Sequence, residues 1–171
     1  MVAIVSKQIR VNNAGNFRDD VGTDSTYLYI GRSQAWPSSD TAIATPVDTV
    51  FDKNNVHQNM IALKKVAQSD VSHSITRYNW LSGTTYVPYD DQLSTLSTSQ
   101  YYVITDELNV YKCLDAGAGA SVVKPTGQTT NAANAVESDG YVWKFMATLS
   151  GTQATKFLTN SFVPVNVITS N

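Results

Sequence analysis

The stretch Tyr101 to Asp115, YYVITDELNVYKCLD, decides the fold. Tyr101, Tyr102, Val103 and Ile104 are aromatic or β-branched, and Asp106-Glu107-Leu108-Asn109 carries turn-forming side chains. Val110, Tyr111, Cys113 and Leu114 then supply a return strand, so the stretch reads as a β-hairpin. Most of its side chains are too apolar to be left in water. A lone hairpin is marginal, and Tyr141 to Leu149 (YVWKFMATL) is the expected third strand.

With 171 residues the chain can bury a real core without staples. The expected organisation is one domain over 1–171, with sub-regions 1–91 and 101–168 joined by the Ser/Thr-rich segment 92–100, QLSTLSTSQ. Charged residues are only 15% of the chain and the net charge is −2, so Ser, Thr, Asn and Gln carry the surface polarity. Scattered basic residues make no footprint for nucleic acid or an anionic membrane. A single cysteine, Cys113, excludes an internal disulfide and a cysteine-based zinc site; its strand position predicts a buried thiol. The apolar run in MVAIVSKQIRVNNAG is too short for a signal-peptide core or a membrane span, and secretion by a signal peptide is not expected.

Val2, Ile4, Ile9 and Val11 alternate loosely and predict a first strand over 2–11, followed by a loop over 16–25. Asp19, Asp20 and Asp24 in that loop fall short of a calcium motif, which needs more oxygens and a closing acidic residue. Tyr27-Leu-Tyr-Ile30 predicts a strand, with Gly31 marking a bulge or a close backbone approach. Pro46 to Val66 carries the one expected main helix, about 48–63, with Asp48 as its N-cap and His57 as a hydrogen-bonded core histidine on its apolar face. His73 is no partner for it by spacing. Ile75 to Trp80 can be extended, Ser82-Gly83 is a turn, and Asp90-Asp91 is a solvated turn with no acid–base pairing.

Residues 116–138 read as a long mobile loop whose glycines are in the wrong frame for a phosphate-binding loop. Ser138-Asp-Gly140 is a turn, Ser150 to Asn160 is indeterminate, and Phe162 to Ile168 is an edge segment limited by Pro164. The fold class expected is therefore α+β: a predominantly antiparallel sheet or sandwich with the 48–63 helix packed on it.

Five stretches in order resemble the baseplate wedge subunit of contractile-tailed phages typified by the eighth-gene product of T-even phages. They are Tyr27 to Trp36 (YLYIGRSQAW), the helix running into Met60 to Val66 (MIALKKV), Ile75 to Trp80 (ITRYNW), Asn109 to Leu114 (NVYKCL) and Asp139 to Phe145 (DGYVWKF). Members of that family are generally longer, so the resemblance is to their first part; the chain is expected either to be a compact version or to have the remainder supplied by another protein. The resemblance implies a non-enzymatic virion protein of the tail baseplate, repeated around the tail axis and bound to other wedge subunits and to fibre proteins, with no cofactor and no metal. Interface anchors favour Trp, Tyr and Arg, which makes Arg32, Trp36, Arg77, Trp80, Tyr86 and Tyr89 the candidate docking residues. The competing reading is a fibre-attachment or glycan-binding module, suggested by the tyrosines and the neutral polar surface. An enzyme would need Cys113 as nucleophile with His57 or His73 as base, which an apolar strand position disfavours.

Overall fold

A computed structural model describes residues 7–31, 41, 49–131 and 135–165. In chain order the elements are α1 (Lys7–Thr23), β1 (Tyr27–Gly31), α2 (Val50–Gln58), β2 (Met60–Lys65), β3 (His73–Thr76), β4 (Tyr102–Ile104), β5 (Asn109–Asp115), β6 (Val142–Thr148), α3 (Gly151–Phe157) and β7 (Phe162–Val165). They fall into two compact units, Met1–Val71 and Ser72–Asn171. The class is α+β with antiparallel sheets, as expected.

The first unit departs most from expectation. Ile9 and Val11 lie in α1 and not in a strand, and that helix also takes up most of the expected 16–25 loop. A few loosely alternating apolar residues fit both periods. The helix end is held by the Gln68 side-chain amide, which donates to Asp19 Oδ1 at 3.1 Å, and by the Thr23 hydroxyl, which donates to the carbonyls of Asp19 and Asp20. Val2 and Ile4 lie outside the described residues, as do Pro46 and Asp48.

The single helix expected over 48–63 is a helix of nine residues, Val50–Gln58, followed by a strand. Met60–Lys65 pairs antiparallel with Tyr27–Gly31, from Tyr27 opposite Lys65 to Gly31 opposite Met60, and this ladder overrides the helical preference of Met, Ala, Leu and Lys. The register slips between Ile30 and Gly31, the bulge expected there. His57 is exposed on α2, so it is not a core histidine.

The second unit holds the hairpin. Tyr102, Val103 and Ile104 face Lys112, Tyr111 and Val110, and β6 lies on the other side of β5, so Tyr141 to Leu149 is the third strand. Alternation sends the two faces of this sheet to different cores. Val103, Tyr111, Cys113 and Trp143 join Tyr86 and Tyr141 on one side. Ile104 and Val110 join Leu149 and Val163 on the other, with Ile75 and Leu158 packed against them. That second core takes in Val163 of β7 and Ile75 of its partner β3, which pair through Ser74 opposite Pro164, and α3 packs on β7 with its C-cap Leu158 against the core. Ser150 caps α3 by accepting from the Gln153 backbone N–H, while the Gln153 side chain accepts from the Ser150 N–H.

The segment 116–138 is not the mobile loop expected of its glycines, where it is described. Tyr141 donates its hydroxyl to Gly119 O at 2.9 Å, and Ser121 and Thr84 form a β-bridge. Gly117 is packed so closely that a Cβ there would run into the carbonyl oxygen of Asp139, whereas Gly119 faces open space. Gly117→Ala is expected to destabilise the chain by about 2 kcal/mol and Gly119→Ala by less than about 0.5 kcal/mol, read from denaturant midpoints; equal effects would contradict the packing at Gly117.

Candidate docking surfaces

The candidate residues of the sequence part company in the structure. Arg32 and Trp36 lie outside the described residues. Tyr86 is 1% exposed and belongs to the first core of the second unit. Its ring stacks edge-on against Trp143 at 5.2 Å, and its hydroxyl accepts from the Leu81 N–H at 2.7 Å. Tyr86 is thus an internal strut that shapes the turn at Ser82-Gly83, where Gly83 takes a positive φ of 84°.

Arg77 and Trp80 do share a concavity. Its volume is about 530 Å³, and it is lined by Arg77, Asn79, Trp80, Leu81, Ile104 and Lys124 among others. The backbone after β3 runs along β4 here: the Trp80 N–H donates to Ile104 O at 2.9 Å and the Ile104 N–H to Tyr78 O at 2.8 Å. Arg77 is held flat by its Nε donating to Asn79 Oδ1 and its Nη1 to Thr159 O. Trp80 rests on the first core while its Nε1 donates to Ser121 Oγ at 3.2 Å. Ser121 Oγ donates in turn to Asp139 Oδ2, which also accepts from the Val122 and Val123 N–H groups at 2.8 and 3.0 Å. One carboxylate therefore fixes the loop that positions the indole. Lys124 closes the far wall through ion pairs with Asp106 and Glu107 in the hairpin turn. The Lys124 ammonium holds the exposed Glu107 carboxyl down to about 2. Leu81, 62% exposed, stands at the rim.

Tyr89 belongs to a second surface of the same unit. Tyr78, Tyr102, Tyr101 and Tyr89 follow one another with ring centroids 5.4, 5.0 and 5.3 Å apart, and Lys112 Nζ lies 4.1 Å over the Tyr89 ring. This row was invisible in the sequence because positions 78, 89 and 101 come together only through the tertiary fold. In the first unit, Tyr27, Leu28, Tyr29, Ile30, Ile61 and Leu63 of the β1–β2 ribbon are exposed on both of its faces.

Chemistry finds little foothold. Cys113 is fully buried, and burial, reinforced by Asp115, pushes its thiol up to about 12, so it is no thiolate nucleophile. Among the described residues no cluster of His, Cys, Asp and Glu is placed to hold a metal ion, and no helix is long and apolar enough to cross a membrane.

The family model described as Bacteriophage T4, Gp8 matches residues 3–121 of the 171. The chain belongs to the Phage-Gp8 family. It is accordingly a structural component of the phage baseplate wedge that works through protein–protein contacts and is not an enzyme. The match takes in the cleft residues Arg77, Trp80 and Leu81 and the hairpin; β6 and α3 lie beyond it. No curated protein matches the chain.

Two outcomes check this geometry. Burial raises the Asp139 pKa, but hydrogen bonds from Val123, Val122, Tyr141 and Ser121 outweigh it and leave the carboxyl below its ordinary 3.8. Its contribution is therefore present above the unfolded pKa and is lost as pH falls through the folded one. Asp139→Ala should cost about 2 kcal/mol at pH 7, and this deficit should shrink below pH 4 in acid-dependent melts; a pH-independent deficit would contradict the assignment. Cys113 should resist an aromatic disulfide reagent at pH 8 in the folded chain and react at once in denaturant, and fast reaction in the folded state would refute its burial.

Proposed function

We propose that the second unit docks a neighbouring wedge subunit through the cleft between Arg77 and Lys124, in several copies around the tail axis at the virion baseplate. The observation that carries this reading is the convergence, in one concavity, of a half-buried tryptophan, a braced guanidinium and an exposed leucine on a fold whose family works by protein contact. Interfaces concentrate their energy in such anchors, and a guanidinium whose Nε and Nη1 are already fixed loses little further rotamer entropy when a partner covers it. Trp80 offers an apolar wall while its ring nitrogen is satisfied from within, so covering it strands no polar group. Other wedge subunits are the partners this reading requires, with fibre proteins attached to the same assembly. Arg32 and Trp36 are further docking candidates by residue type.

Leu81→Asp is the sharpest probe, because Leu81 is mostly solvent-exposed in the isolated chain and its loss should leave the fold intact. The variant should melt within a few degrees of the parent yet lose wedge incorporation about tenfold or more in a reconstitution with the co-expressed wedge proteins. Thr152→Asp, on the exposed face of α3, should incorporate normally. Parental incorporation of Leu81→Asp and Arg77→Glu alike would sink the cleft as the docking site.

A further inference from the structure

The outer end of the β4–β5–β6 sheet carries an arrangement that is unfavourable in the isolated chain. Lys112 on β5 and Lys144 on β6 are register partners, so their side chains rise from the same face beside each other, with Tyr102 of β4 opposite Lys112 in the same row. Like charges directly opposite on neighbouring strands repel. Among the described residues neither ammonium makes an ion pair with a carboxylate. Lys112 leans on the Tyr89 ring instead, and burial together with the neighbouring Lys144 lowers its pKa. Elsewhere this face carries the second core; here, among the described residues, it carries the half-buried row Tyr78, Tyr102, Tyr101 and Tyr89. Of the four hydroxyls, that of Tyr102 is occupied, donating to Thr76 O at 2.7 Å.

We propose that the Lys112–Lys144 pair and the tyrosine row beside it are a docking surface for an acidic segment of a partner protein. The occupant follows from charge complementarity. Two adjacent cations lacking carboxylate partners are relieved by an anion set between them, and a row of tyrosine rings offers large, rigid contact area at little entropic cost. A carboxylate-bearing polypeptide with apolar or aromatic neighbours supplies both. The lysine pair and the tyrosine row include none of the residues that line the Arg77–Trp80 cleft, whose own Lys124 is already neutralised by Asp106 and Glu107. The inference rests on the reading of the chain as a protein-docking component, though not on the cleft being the dock.

The test uses the full chain with a random glutamate–tyrosine copolymer, poly-glutamate and polysialic acid as probes, followed by fluorescence anisotropy at 50 and 300 mM salt. The glutamate–tyrosine copolymer should bind, more tightly than poly-glutamate, with affinity falling as salt rises. Lys112→Gln/Lys144→Gln should weaken it about tenfold, the loss of two modest ion pairs. The informative second reading is stability: Lys144→Gln should raise the melting temperature while lowering affinity, since it removes repulsion from the free chain and attraction from the complex. Leu81→Asp should leave copolymer binding unchanged, so failure of the cleft and failure of this surface are told apart. Equal binding of polysialic acid would reassign the surface to acidic glycans and overturn the proposal. So would parental binding by the double lysine variant, or a melting temperature lowered by Lys144→Gln.

Discussion

Strand β5 has no side facing only water, and the second unit is arranged around that constraint. Its backbone is paired on both edges, by β4 and β6, and its residues alternate between two cores: Tyr111 and Cys113 toward Tyr86 and Trp143, Val110 toward Ile104, Leu149 and Val163. A strand buried on both faces needs covers on both faces. The segment 80–89, folded on Tyr86, supplies one, and the pair β3–β7, joined by Leu158 at the end of α3, supplies the other. The adjacent buried pair Val110-Tyr111, followed by Cys113, is the sequence consequence of this two-sided burial.

The connections follow from the covers. Leu108 adopts a positive φ of 64°, a conformation that costs a non-glycine residue, yet its side chain packs on the second core and its carbonyl accepts from the Leu149 N–H. Burial and a ladder bond outweigh the local cost. In the same way the Asp139 carboxylate gathers the N–H groups of Val122, Val123 and Tyr141, so a stretch rich in glycine is held by one charged side chain. Rigidity at the Arg77–Trp80 cleft comes from this inner bonding, which satisfies the Trp80 ring nitrogen and two of the Arg77 nitrogens and leaves the apolar surface of the wall for contact.

A component of an assembly can keep surfaces that a monomer working alone would gain by removing. The lysine pair on β5 and β6, the tyrosine row beside it, and the exposed aliphatic side chains of the β1–β2 ribbon are all of this kind. Each lowers the stability or solubility of the free chain by a small amount and is offset when a neighbour covers it. A protein of the baseplate wedge has such neighbours.

Local chemistry was enough to read the hairpin, its third strand, the bulge at Gly31, the turn at Gly140, the α+β class and the family, because each depends on residues close in sequence or on motifs in order. It misread Ile9 and Val11 as strand and ran the second helix on through Met60 to Leu63, because short apolar runs fit two periods and the deciding term was pairing with Tyr27 to Gly31. It could not separate Tyr86 from Trp80, since a large aromatic suits a core or an interface equally until the fold assigns its neighbours. Nor could it place Lys112 beside Lys144: adjacency of residues on different strands is a property of register, and register is set by the buried faces of the whole sheet.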